Sequence, residues 1–77
     1  MSSARQLLFV DDDRHFLRTV EMVVDPGFSV EFAHSVAEAL AVSARPDAAF
    51  VDLGLPDGDG VTLVRTLGER WPHTPLV

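Results

Sequence analysis

The chain opens its apolar pattern with Leu7-Leu8-Phe9-Val10, a run cut off by Asp11-Asp12-Asp13. A short continuous run ended by turn-forming acids predicts a strand buried on both faces. From Arg14 the period becomes helical, with Phe16, Leu17, Val20, Val23 and Val24 on one side and Arg18, Glu21 and Asp25 on the other. Asp13 is the predicted N-cap, and Asp25-Pro26-Gly27 stops the helix because proline cannot continue it. Phe28 to Phe32 alternates apolar and polar residues and predicts a second strand. Ser35 followed by Glu38 has the capping-box spacing. It opens a helix expected to run to about Ala44, with Val36, Leu40 and Ala44 facing inward, until Arg45-Pro46-Asp47 breaks it. Ala48-Ala49-Phe50-Val51 predicts a third buried strand, again ended by an aspartate, Asp52. The breaker-rich loop from Gly54 to Gly60 follows. Asp59 then caps a third helix from Val61 to about Arg70, with Val61, Leu63, Val64 and Leu67 inward. Trp71-Pro72 ends that helix, with Trp71 expected to cover its end, and Pro75-Leu76-Val77 opens a fourth strand.

Strands alternating with helices predict an α/β fold: a parallel sheet covered on both faces, each crossover right-handed. Seventy-seven residues hold one small domain. The net charge of −6 sets twelve acidic residues against six arginines, with no lysine, so the segment lacks the positive surface that direct nucleic-acid binding needs. The absence of cysteine excludes disulfides, thiolate metal sites and thiol nucleophiles. No apolar run exceeds four residues and the start Met-Ser-Ser-Ala-Arg-Gln leads into no signal-like segment, so a cytoplasmic protein without a membrane span is expected.

In open parallel sheets ligands bind beyond the carboxyl ends of the strands. The first strand ends at Asp11-Asp12 and the third at Asp52, so three carboxylates meet if these strands are neighbours. Packed like charges raise a pKa or recruit a cation, and carboxylate oxygens suit Mg²⁺. Phosphoryl transfer is the usual chemistry of that pairing, and a carboxylate can itself be the nucleophile; the pattern does not choose which. Aspartates after strands are also common turn formers and caps, which is the reading for Asp13, Asp47, Asp57 and Asp59. His15, His34 and His73 lack metal-ligand spacing and read as surface or helix-edge residues, and the five phenylalanines as core or sheet cover.

The residues Leu8-Phe9-Val10-Asp11-Asp12-Asp13, with Pro46-Asp47 before Asp52 and Leu55-Pro56 and Asp59-Gly60 after it, resemble the receiver domain of two-component response regulators. The resemblance implies a flavodoxin-like sheet of order 2-1-3-4 and an N-terminal portion of such a domain over residues 1–77, ending inside the fourth strand. It implies that Asp52 is the phosphoacceptor and that Asp11, Asp12, Asp52 and the Gly54 backbone carbonyl hold Mg²⁺. Pro56, Asp59 and Gly60 would shape the loop. Arg14 borders the site as a candidate phosphoryl contact, with a solvent role as the alternative. The implied partner is a sensor histidine kinase or phosphotransfer protein, and a homodimer is an option. The family's hydroxyl residue at the end of strand four and lysine at the end of strand five have no counterpart here. Two other readings stay open: a non-phosphorylated interaction or structural fragment, and a Mg²⁺-dependent phosphohydrolase suggested by the Asp11-x-Asp13 pattern.

Overall fold

The structure, a computed structural model, describes residues 5–77; the first four residues of the start discussed above lie outside them. Its elements are β1 (Arg5–Val10), α1 (Arg14–Val23), β2 (Phe28–Ala33), α2 (Val36–Leu40), β3 (Ala48–Val51) and α3 (Gly60–Arg70). The strands form a parallel sheet of order β2-β1-β3. Leu76 continues it with a parallel bridge to Ala49, supported by Ala49 N–H donating to Pro75 O at 3.0 Å and Val77 N–H to Ala49 O at 2.9 Å. The predicted fourth strand thus opens beside β3, on the side away from β1.

The sheet's two faces differ. Leu8 and Val10 from β1, Ala33 and Ala49 join Ala39, Leu63, Leu67 and Trp71 in one closed core under α2 and α3. Each fully buried leucine stabilises this core by about 2 kcal/mol. The opposite face carries Phe9 stacked on Phe50, with ring centroids 4.6 Å apart, and tilted towards Phe32 at 6.4 Å. These three rings are only half-buried. β1 is therefore buried fully on one face and partly on the other, not on both as its apolar run suggests. α1 buries Leu17 and Val20, while Phe16 and Val23 of the predicted stripe are exposed, since no further described element packs over that side. Val61 of α3, expected inward, is exposed as well.

α2 departs most from expectation. It ends at Leu40 rather than near Ala44, and its inward residues are Val36, Ala39 and Val42, not Leu40 or Ala44. Val42 N–H donates to Ala39 O at 3.2 Å, a tightened last turn that sets a spacing of three. The carbonyls a longer helix would use are taken by α3: Arg70 Nη1 donates to Leu40 O at 2.9 Å and Val42 O at 3.1 Å. Pro46, four residues after Val42, has no N–H to offer that carbonyl. At the other end, Ser35 Oγ accepts from Glu38 N–H, as a capping box requires, but the Glu38 carboxylate reaches His34 N–H, one residue earlier than the pattern predicts. The remaining N–H groups of the first turn are capped from afar. Asp57 Oδ1 accepts from Val36 N–H at 2.8 Å and its Oδ2 from Ala37 N–H at 3.1 Å. Those two bonds hold the Asp57 carboxyl below its ordinary value of 3.8.

Trp71 does cover the end of α3, 4% exposed, with the Arg70 guanidinium 5.8 Å from its ring centroid. Thr74, buried, donates to Pro46 O at 2.9 Å and accepts from Arg45, tying the turn after α3 to the turn before β3.

Two outcomes follow. Arg70→Ala, by orphaning two carbonyls at the end of α2, lowers unfolding stability by about 1–2 kcal/mol in urea titrations. Because the Asp57 carboxyl is depressed in the folded state, its stabilisation is complete above pH 3.8 and is lost as pH falls through that value towards the lower folded pKa. Urea midpoints of Asp57→Asn followed across that range show a shallower acid loss than wild type; parallel curves would refute this origin.

Candidate phosphoacceptor and metal site

The site begins with backbone pairing. Val10 and Val51 are register partners at the ends of β1 and β3, and one step on Asp52 N–H donates to Val10 O at 2.8 Å. On the other side Asp11 N–H donates to Ala33 O at 2.9 Å. The ladder thus carries the two strand ends to the same level, and Asp11, Asp12 and Asp52 present carboxylate oxygens that all lie within 4.8 Å of one another. Asp11 and Asp52 are half-buried and Asp12 is exposed. Each pair of unit charges at such a separation repels by roughly 1 kcal/mol even in bulk water. Among the described residues none of the three forms an ion pair that would relieve this. Three hard oxygen donors with a solvent-open side are the donor set of a small divalent cation that keeps some of its waters.

Each strand end is locked by an Asx turn. Asp13 N–H donates to Asp11 Oδ1 at 2.9 Å and Gly54 N–H to Asp52 Oδ1 at 3.0 Å. The Asp13 carboxylate is engaged as the N-cap of α1, accepting from His15 and Phe16 N–H at 3.0 and 3.1 Å. That role accounts for the second aspartate of the Asp11-x-Asp13 pattern without a phosphatase.

The loop from β3 to α3 is held at four points. The Asx turn fixes Gly54; Leu55 is buried in the core; Asp57 grips α2; and Asp59 caps α3 by accepting from Val61 N–H at 2.9 Å and from the Thr62 hydroxyl at 3.2 Å. Pro56 stays exposed between these anchors. Gly60 is required by close approach. A Cβ there would lie 2.4 Å from Leu53 Cα and 2.8 Å from the carbonyl oxygens of Asp52 and Leu53. Gly54 is not so constrained, since a Cβ would meet only the Asp52 carboxylate, at 3.7 Å. A cleft of about 230 Å³ adjoins the carboxylates, walled by Phe9, Phe16, Phe50 and Val77, with Asp11 and Asp52 at its edge.

Arg14 is exposed and its guanidinium is directed at His34 Nε2, 3.4 Å away, rather than at the carboxylates. Three residues given only local or surface roles by the sequence, Asp57, Arg70 and His34, make contacts with partners 20 to 30 positions distant. No local spacing signals such pairs.

Comparison with known proteins places this geometry. The family model of the response regulator receiver domain matches residues 7–77. The photosynthetic apparatus regulatory protein RegA of Cereibacter sphaeroides is 45% identical over 80 aligned positions, covering 100% of this chain and 44% of its own length. The acid tolerance regulatory protein ActR of Rhizobium meliloti is 38% identical over 95% of this chain and 39% of its own. The chain therefore spans less than half the length of these relatives. Among solved structures, a CheY-like receiver domain protein from Methanospirillum hungatei JF-1 superposes with a TM-score of 0.90 at 28% identity, over 96% of this chain and 62% of that one. A Burkholderia pseudomallei response regulator with a phosphorylated aspartic acid, calcium ion and citrate gives 0.83 at 28% identity, over 94% of this chain and 44% of that one. With its doubly wound order, its acidic strand ends and a family match over nearly its whole length, the chain belongs to the response regulator receiver domain family.

Proposed function

We propose that Asp52 is the phosphoacceptor and that Asp11, Asp12, Asp52 and the Gly54 carbonyl hold a Mg²⁺ ion beside it. The observation that carries this reading is the convergence of the three carboxylates, within 4.8 Å, at the ends of neighbouring parallel strands. The phosphorylated aspartic acid and calcium ion of the Burkholderia pseudomallei relative support it by likeness. A hard divalent cation held by these oxygens would supply neutralisation of the charge on the phosphoryl oxygens during transfer.

An Asp52 carboxylate oxygen attacks phosphorus in line and forms the acyl phosphate bond. The bond from phosphorus to the donor breaks and its electron pair leaves with the donor, whether the imidazole of a phosphohistidine or acetate from acetyl phosphate. Water later cleaves the acyl phosphate, returning Asp52 and inorganic phosphate. The Asx turn from Gly54 holds the Asp52 carboxylate in one orientation through Oδ1. Pro56, Asp59 and Gly60 keep the following loop close against the strand end. Arg14, which opens α1 two residues after Asp12, is the candidate contact for the phosphoryl group. The donor protein is a sensor histidine kinase or phosphotransfer protein, and the segment acts in a cytoplasmic relay as a timed acceptor rather than a turnover catalyst.

Incubation with acetyl phosphate and Mg²⁺ adds one phosphoryl group by intact mass. Asp52→Asn or a chelator abolishes the adduct, and Asp11→Asn or Asp12→Asn slows labelling by about 10²-fold. An unlabelled wild-type protein, or an undiminished Asp52→Asn adduct, refutes the assignment. Gly60→Ala drives a methyl group into the Asp52–Leu53 backbone and costs about 1–3 kcal/mol of stability, together with slower labelling. Calorimetry and the same mass assay measure both.

A further inference from the structure

We infer that Asp57 is a positioning residue for Asp52: its grip on the first turn of α2 fixes the loop whose Gly54 N–H holds the Asp52 carboxylate. The inference rests on the reading of Asp52 as phosphoacceptor and adds to it a residue whose own contacts lie on another element. Both Asp57 oxygens are committed to α2, Oδ1 accepting from Val36 N–H at 2.8 Å and Oδ2 from Ala37 N–H at 3.1 Å. Amide bonds to an ionised carboxylate are charge-assisted. These two, the one from Val36 first, lower the Asp57 carboxyl's pKa and so keep the acceptor anionic. The next residue meets α2 as well: a Cβ on Gly58 would lie 3.1 Å from Val36 Cγ2, so the loop backbone abuts that side chain.

The loop is shut at its neck. Asp52 and Leu53 approach Gly60 so closely that no Cβ fits there, and the residues between form one closed excursion. Inside it Leu55 is seated in the core. A single pin of that kind leaves the segment free to turn about it. The second pin, at Asp57, fixes its direction and with it the approach of Gly54 on the other side of Leu55. Gly54 N–H donates to Asp52 Oδ1 at 3.0 Å. Rotation about the last side-chain bond of an aspartate is otherwise broad. This bond therefore sets the plane in which Asp52 presents its carboxylate beside Asp11 and Asp12. α2 is a firm anchor although five residues are too few for a helix to persist alone, because Ala39 lies in the core that holds Leu55 and Val36 packs against it. The matching turn on β1, from Asp13 N–H to Asp11 Oδ1, runs directly into α1 and does not pass through this loop. It is an internal reference.

Labelling rates against acetyl phosphate concentration at saturating Mg²⁺, paired with amide hydrogen exchange, test the assignment. Asp57→Ala lowers the maximal labelling rate about tenfold and leaves the half-saturating concentration unchanged, as misorientation of a nucleophile requires. Its Gly54 amide exchanges about tenfold faster than in wild type, while the Asp13 amide keeps its wild-type rate. Asp57→Asn, whose amide offers a single acceptor oxygen, falls between the two and serves if the alanine variant does not fold. Ser35→Ala separates positioning from stability, since it removes the local cap of the same helix turn without touching the loop. It labels at the wild-type rate and leaves Gly54 exchange unmoved. A wild-type maximal rate in folded Asp57→Ala, an unmoved Gly54 amide, or equal slowing by Ser35→Ala overturns the inference and leaves the phosphoacceptor reading intact. Wild-type protein that takes no phosphoryl group overturns that reading and, with it, the catalytic sense of this one; Gly54 exchange then still decides whether Asp57 holds the Asp52 carboxylate.

Discussion

The pairing of β1 with β3 is the constraint on which the site depends. Because Val10 opposes Val51 and Asp52 donates to the Val10 carbonyl, Asp11 and Asp52 leave the sheet side by side. A slip of one residue would turn each strand's side chains to the other face and scatter the carboxylates. The register is held from both ends. Leu8, Val10 and Ala49 must all reach the core under α2 and α3, and at the opposite end Gln6 and Asp47 exchange two bonds, Gln6 N–H to Asp47 Oδ2 at 2.6 Å and Asp47 N–H to Gln6 O at 2.7 Å. Apolar burial thus sustains an arrangement that electrostatics alone opposes, and a cation or phosphoryl chemistry is the natural use of such enforced repulsion.

The same residue type does different work depending on which N–H groups the fold brings to it. Asp13 and Asp59 cap the helices they precede, Asp25 closes its own turn by accepting from Gly27 N–H, and Asp57 caps a helix twenty residues upstream. Asp11 and Asp52 each commit Oδ1 to the N–H two residues on, which steadies them without neutralising them. The first turn of α2 becomes a junction as a result. It receives the acceptor loop through Asp57 and, through Glu38 and His34, the Arg14 side chain that starts α1. The Ser35 hydroxyl and the Glu38–His34 pair are local links, whereas those from Asp57 and Arg14 reach across twenty residues or more.

Most of the architecture was legible because its signals are short-range. Apolar runs ended by acids mark β1 and β3, Asp13 and Asp59 mark helix starts, and the change of period separates strand from helix. α2 was misread for a reason that is itself tertiary. The alanine-rich stretch from Val36 to Ala44 has helical propensity throughout, yet Arg70 takes the carbonyls of Leu40 and Val42 from thirty and twenty-eight residues away. Phe16 and Val23 fit an amphipathic wheel but remain exposed, since a wheel gives the direction of a side chain and not whether anything lies beyond it.

The sequence by itself determined the order of elements, the parallel sheet they form, the three carboxylates at the strand ends and the family resemblance they carry. Each of these is encoded in neighbouring residues, through period, caps and breakers. Only the tertiary structure decided that those carboxylates meet within 4.8 Å, that Gly60 must be glycine because backbone fills the space of its Cβ, and that Arg14 turns to His34. These features depend on which hydrogen-bonding groups the packed elements bring together across the chain, and no local pattern records that.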